Sequence, residues 1–213
     1  MLSLCGSHRT GKTTLAMAFA KENDIPFVQT SGSEVFEILG KDPKAEYPIE
    51  ERIAIQEAIL YAFERQYEDA RSRAPVFIAD RCPIDLASYM MADIQRSTLV
   101  AEPALAVMVN DYVRRCVEST SQWFSTVILV QPGIELVEAP GKAPACPAFI
   151  EHMNLLQTGL LLDERLLSRH YLIPKRYLTI EDRVRCVQGA VLHALEANML
   201  LQKQRKDAGI LLH

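Results

Sequence analysis

The chain has 213 residues, 49% of them hydrophobic, enough apolar side chain for one α/β core in a single domain. Twenty-seven acidic against 23 basic residues leave a net charge of −4, which argues against the broad basic surface that nonspecific duplex binding requires. The five cysteines form no C-x-x-C pair and no zinc spacing, so they read as reduced thiols of a cytoplasmic protein. No signal peptide is visible and no apolar run reaches the length of a membrane span.

Met1 to Cys5 is a short, mostly apolar run that predicts a buried strand, and Thr14 to Lys21 carries helix formers with apolar residues on more than one face. Between them, Gly6-Ser7-His8-Arg9-Thr10-Gly11-Lys12-Thr13 fits the pattern G-x-x-x-x-G-K-[ST] in the strand–loop–helix setting that the pattern requires. Gly6 and Gly11 permit backbone angles and approaches that a side chain blocks, so successive N–H groups from Gly6 to Thr14 can turn inward around phosphate oxygens. The positive end of the helix adds to that field. Lys12 then fits as the ammonium on the β- and γ-phosphates of ATP, and Thr13 as a hydroxyl ligand of Mg²⁺.

Pro26 to Gln29 predicts a second short strand, followed by a polar turn, a short helix capped by Ser33 and a stop at Gly40. A long helix is expected from Pro48 to Arg73, a strand at Val76 to Ala79, and helices at Ile84 to Ile94 and Ala104 to Thr120. Thr126 to Val130 is the clearest strand. Pro132 to Pro147, with four prolines, reads as a long loop. Phe149 to His170 is expected to be helical, Tyr171 to Ile173 and Tyr177 to Ile180 extended, and Glu181 to about Lys203 the last helix. This alternation predicts one domain, a parallel sheet covered on both faces, with residues 132–170 as a lid segment.

The second informative stretch is VFIADRCPIDLASYM, Val76 to Met90. A carboxylate at the carboxyl end of a buried strand lies on the side of the sheet where ligands bind. Asp80 is therefore positioned to hold Mg²⁺ through water or to take a proton from an attacking hydroxyl; the sequence supports both. Arg81 suits an acceptor phosphate or the transferring γ-phosphate. Asp85, in the first turn of the next helix, joins the substrate-binding candidates, as does Arg52. Arg165 and Arg169, four apart on the expected helix, would face the same way and supply cations to a loop that holds only Lys142. Trp123 reads as a core residue.

GSHRTGKTT, followed by a strand ending in ADRCPIDLASY, resembles the P-loop nucleotide and nucleoside kinases, particularly the AAA-domain branch with nicotinamide-riboside-kinase-like and phage deoxynucleotide-kinase-like proteins. The resemblance implies a three-layer P-loop kinase fold and ATP·Mg²⁺-dependent phosphoryl transfer, with Lys12, Thr13, Asp80 and Arg81 as the matched positions. No AAA+ motor is implied. The acceptor stays open between a nucleoside, a nucleoside monophosphate held by Arg81 and Arg52, and 5-hydroxymethyluracil in phage DNA. An ATPase or nucleotide-binding regulator is a further alternative. A phage origin would place the protein in the host cytoplasm, and a homodimer is left open.

Overall fold

Every residue of the first strand, Leu2–Cys5 (β1), is buried, and its side chains alternate between two separate cores. Leu2 and Leu4 pack with Ile128 and Val130, whereas Cys5 packs with Val127 and Leu129. Such a period of two with both faces apolar belongs to a strand covered on each side. The computed structural model describes residues 1–43, 45–94, 100–137 and 145–207, with side chains through residue 204. After β1 come α1 (Lys12–Asn23), β2 (Phe27–Val28), α2 (Ser33–Ile38), α3 (Ile49–Arg73), β3 (Ile78–Ala79) and α4 (Pro83–Asp93). They are followed by α5 (Pro103–Trp123), β4 (Thr126–Val130), α6 (Pro147–Leu161), β5 (Arg169–Ile173) and α7 (Ile180–Asp207).

The five strands are all parallel, in the order β2-β3-β1-β4-β5. Helices α3, α4 and α5 cover one face and α1 and α7 the other, giving the expected three layers. The chain runs outward from β1 to β2 and β3, then crosses to β4, so β1 lies at the switch point. Ligands bind open α/β sheets in the crevice outside the carboxyl ends of strands at such a point.

Three features differ from expectation. The helix expected over Phe149 to His170 ends at Leu161, and the Asp163 carboxylate accepts the Arg165 N–H at 2.9 Å in a tight turn. The next residues then complete the sheet as β5, with Arg169 N–H donating to the Ser125 carbonyl at 3.0 Å. Pairing β5 alongside β4 satisfies backbone groups that a continued helix would leave buried and unmatched. Tyr177 to Ile180 is not a strand but the turn and approach into α7. Gly32, not Ser33, occupies the cap position of α2, without a side-chain bond. Residues 138–144, including Lys142, lie outside the described residues.

Tyr67, fully buried on α3, anchors the larger core. Its ring packs edge-on to Phe124 at 4.8 Å between centroids and tilted against Trp123 at 5.8 Å. Its hydroxyl donates to the Arg81 carbonyl at 2.9 Å, tying α3 to the turn after β3. Tyr67→Phe should cost about 1–2 kcal/mol by leaving that carbonyl without its donor. Phe124→Ala should cost about 3–5 kcal/mol through the cavity it opens. Urea denaturation of the two variants measures both values.

Candidate functional site

The loop between β1 and α1 is shaped by backbone that side chains disfavour. Gly6 has φ of +151°, and a Cβ there would lie 2.7 Å from the Val130 carbonyl oxygen. Gly11 enters α1 with φ of +82° and caps the helix with no side chain, so the first-turn N–H groups open onto the cleft. Lys12 is buried and folds back along the loop, donating to the Gly6 and Ser7 carbonyls, the latter at 2.8 Å. Burial lowers its ammonium to about 8, while the Asp85 carboxylate pulls the other way. A cation with no carboxylate ion pair among the described residues, at the mouth of a helix, suits an anionic ligand.

Asp80, at the carboxyl end of β3, is buried and uses both carboxylate oxygens. One accepts the Thr13 hydroxyl at 2.8 Å; the other accepts the Thr30 N–H at 3.0 Å and the Thr30 hydroxyl at 3.1 Å. One side chain therefore joins the ends of β2 and β3 to the first turn of α1. Above these groups lies a cleft of about 620 Å³. Gln29 to Ser33 form its wall beyond β2, the residues His8 to Thr14 form its floor, and Ile134, Glu135 and Val137 close it beyond β4. Arg81 and Tyr89 line it as well, and the Arg81 guanidinium donates to no described residue.

Supports reach the loop from three directions. Asp85, 1% exposed, accepts the Gly6 N–H at 3.2 Å, the Cys82 N–H at 3.1 Å and the Gln157 side-chain amide at 3.2 Å. The bond to Cys82 is the return half of a capping box at the start of α4. Burial raises the Asp85 carboxyl above the usual carboxylate range, opposed by Lys12, Arg81 and the two N–H donors. Arg183 of α7, also buried, donates to the Thr10 carbonyl at 2.7 Å and the Tyr177 carbonyl at 2.7 Å. Arg9, at φ of +61°, donates to the Val137 carbonyl, and the His8 ring lies 5.7 Å from that of Phe149 on α6.

The structure thus brings Gly6 to Thr14, Asp80 and Arg81 together, with Gly6 and the buried Ser7 beneath the cleft floor. Four expected substrate contacts are placed otherwise. Asp85 is occupied by the internal bonds just described, because the first turn of α4 abuts the phosphate loop from inside. Arg52 is paired with Asp93 at 2.7 Å, bridging α3 to α4. Arg165 pairs with Asp163 in the turn after α6. Arg169 begins β5 opposite Thr126 and bonds Asn198 of α7 at 3.2 Å. Since the loop follows Cys5, itself opposite Leu129, Arg169 sits about 10 Å toward the amino end of the sheet. The two arginines share no helix face because the helix stops before either. Sequence reasoning missed Thr30, Gln157 and Tyr89 as parts of the site. The hydroxyl-rich Thr30-Ser31-Gly32-Ser33 turn, following a strand on the ligand side, was the available signal for the first.

The chain belongs to the AAA-domain family, whose model matches residues 2–128, from β1 almost to the end of β4. A search of curated proteins finds no significant match. Among solved structures, the chain is similar to the deoxyadenosine kinase of M. mycoides with bound dCTP, at 12% identity and a TM-score of 0.59, over 90% of this chain and 98% of that one. The same enzyme with the products dCMP and a flexible dCDP gives 13% identity and a TM-score of 0.59, over the same shares of both chains. The YorR protein of Bacillus subtilis, in complex with phosphorylated GDP, matches at 12% identity and a TM-score of 0.52, over 92% of this chain and 97% of that one. The fold is therefore that of the P-loop kinases. No described helix is long and apolar enough to cross a membrane.

Asp85→Ala should leave three buried donors without an acceptor and destabilise the protein by about 3 kcal/mol or more, read by urea denaturation. Arg165→Ala and Arg169→Ala should leave nucleotide affinity within about twofold of wild type, because exposed pairs of this kind contribute little and both lie away from the cleft. Calorimetric titration with ATP measures it.

Proposed function

We propose that the protein is an ATP-dependent phosphotransferase that moves the γ-phosphate of ATP to a nucleotide or nucleoside held in the same cleft. The observation that carries this reading is the buried Lys12 beside the uncapped start of α1, facing a cleft whose far wall is a separate, neutral, hydroxyl-bearing turn. A motor or switch needs a nucleotide site; an acceptor site in addition is the requirement of a kinase. The kinase fold shared with the deoxyadenosine kinase supports the same conclusion.

Lys12 would leave the loop carbonyls for the β- and γ-phosphates, and the N–H groups of the loop would hold their oxygens. The Thr13 hydroxyl and Asp80 carboxylate, 2.8 Å apart, are hard oxygen donors that fit Mg²⁺. When bound, the ion neutralises charge on the transferring group. Arg81 adds positive charge beside the path of transfer, and enclosure of the cleft keeps water from taking the phosphate. The five free cysteines support a reducing, cytoplasmic setting.

The decisive assay supplies γ-labelled ATP with nucleosides, nucleoside monophosphates and DNA containing 5-hydroxymethyluracil, and follows the label. Transfer to a nucleoside or nucleotide is expected; release of the label to water alone would overturn the reading. Lys12→Ala should lower transfer by roughly 100-fold or more while the protein stays folded by circular dichroism. Binding should also move a proton. With Lys12 near 8 in the free protein, phosphate charge raises its proton affinity, so ATP binding at about pH 9 should take up protons and at about pH 6.5 should take up none through this group. Calorimetry in buffers of different ionisation enthalpy measures the uptake.

A further inference from the structure

Arg183, in the first turn of α7, is a charged group where a neutral donor would hold the loop. It is 3% exposed, and among the described residues it forms no ion pair with a carboxylate. Its Nε and Nη1 donate to the Tyr177 and Thr10 carbonyls, each at 2.7 Å, while its Nη2, also buried, reaches no acceptor among those residues. Neither acidic neighbour, Glu181 or Asp182, pairs with it; Asp182 takes the Thr179 hydroxyl and Arg185 instead. Burial alone pushes the Arg183 guanidinium below its usual range. Arg114, Arg115 and Arg165 show the contrast, since carboxylate partners push each of them upward.

The guanidinium stands at the entry to α1. A Cβ on Gly11 would lie 3.2 Å from its Nη1, and Gly11 is the cap of that helix. The cation therefore sits at the positive end of α1, next to the residue that precedes Lys12. A positive charge at a helix start is unfavourable, and burial without a counter-ion adds to the cost. A hydroxyl or amide donor would hold the Thr10 carbonyl without either penalty. What the charge can serve is an anion across the loop, where the first-turn N–H groups of α1 open onto the cleft. We infer that Arg183 is a positioning residue of the nucleotide site, whose charge attracts the polyphosphate of ATP through the backbone of the phosphate loop and makes α7 part of that site. The inference rests on the ATP-binding reading above. Arg183 is not among the residues that line the cleft, so it acts through the loop rather than by contact. In the weakly screening protein interior a charge carries across one layer of backbone. Its hold on Thr10 keeps that charge in register with the loop.

The test measures ATP affinity with Mg²⁺ by calorimetry for the wild-type protein, Arg183→Gln and Arg183→Lys. Gln keeps an amide donor for a loop carbonyl and removes the charge; Lys keeps the charge and changes the hydrogen-bond geometry. Arg183→Gln should bind ATP roughly 10-fold or more weakly than wild type, and Arg183→Lys should recover most of that loss. Wild-type affinity in Arg183→Gln would overturn the inference. So would an Arg183→Lys protein as weak as Arg183→Gln, because hydrogen-bond geometry rather than charge would then be the cause. If either variant fails to fold, the wild-type protein decides the matter by NMR of its arginine side chains. The Arg183 Nε–H resonance should move when inorganic tripolyphosphate is added and stay in place with adenosine; no movement with tripolyphosphate would overturn the inference. A wild-type protein that binds no ATP defeats the nucleotide reading itself, whereas ATP binding indifferent to residue 183 defeats this inference alone.

Discussion

One buried carboxylate anchors the start of the phosphate loop to the helices behind it. Asp85 accepts the N–H of Gly6 at the start of the loop, caps α4 through Cys82 and takes the amide of Gln157 from α6. It also supplies the largest opposing charge to the buried Lys12 ammonium. Neither charge would be tolerated alone at that depth. Together they leave the cation beside the cleft with only loop carbonyls as hydrogen-bond acceptors among the described residues. Those are weaker partners than phosphate oxygens, so the ammonium can be drawn away when an anionic ligand enters.

Around that centre the sheet imposes a division of labour. Because β1 lies between β3 and β4, its loop faces cleft walls from both halves of the sheet. The wall beyond β2 is neutral and rich in hydroxyls. The wall beyond β4 is apolar apart from Glu135, and Arg9 draws it toward the loop through the Val137 carbonyl. Asp80 fastens the β2 side to the first turn of α1 through Thr30 and Thr13. The separation of the two walls is thus set by strand order, while the polar links that register the two halves come from a few short side chains.

Much of this was legible in the residues. The strand–loop–helix start, the buried strand Thr126 to Val130 and the long helix after Pro48 all follow from local pattern: apolar alternation, glycine spacing and an uninterrupted run of helix formers. The segment after α6 was legible only in part: Tyr171 to Ile173 reads as extended and lies in β5, but the break of the helix before it was not legible. LLQTGLLLDERLLSRHYLIP has the apolar content of a helix throughout, and its actual break at Leu161 reflects a demand from elsewhere. The exposed edge of β4 requires a parallel partner, and β5 meets that need. The misplacement of Arg165 and Arg169 follows from the same break, since their shared face existed only if the helix continued.

The sequence by itself determined the phosphate loop, the acidic residue at the end of β3 and the layered α/β class, because each depends on residues adjacent in the chain or on a short period. Only the tertiary structure decided what those residues touch. Asp80 meets Thr30 across fifty positions, Asp85 meets Gln157 across seventy-two, and Arg183 meets Thr10 across 173. Pairings at such separations are set by the order of strands and the packing of helices on them, and no local pattern encodes which buried polar group will find which partner. The same reason separates the two arginines that follow acidic residues in similar local settings. Arg81 opens onto the cleft while Arg165 closes on its own turn, and what distinguishes them is the end of the sheet at which each emerges.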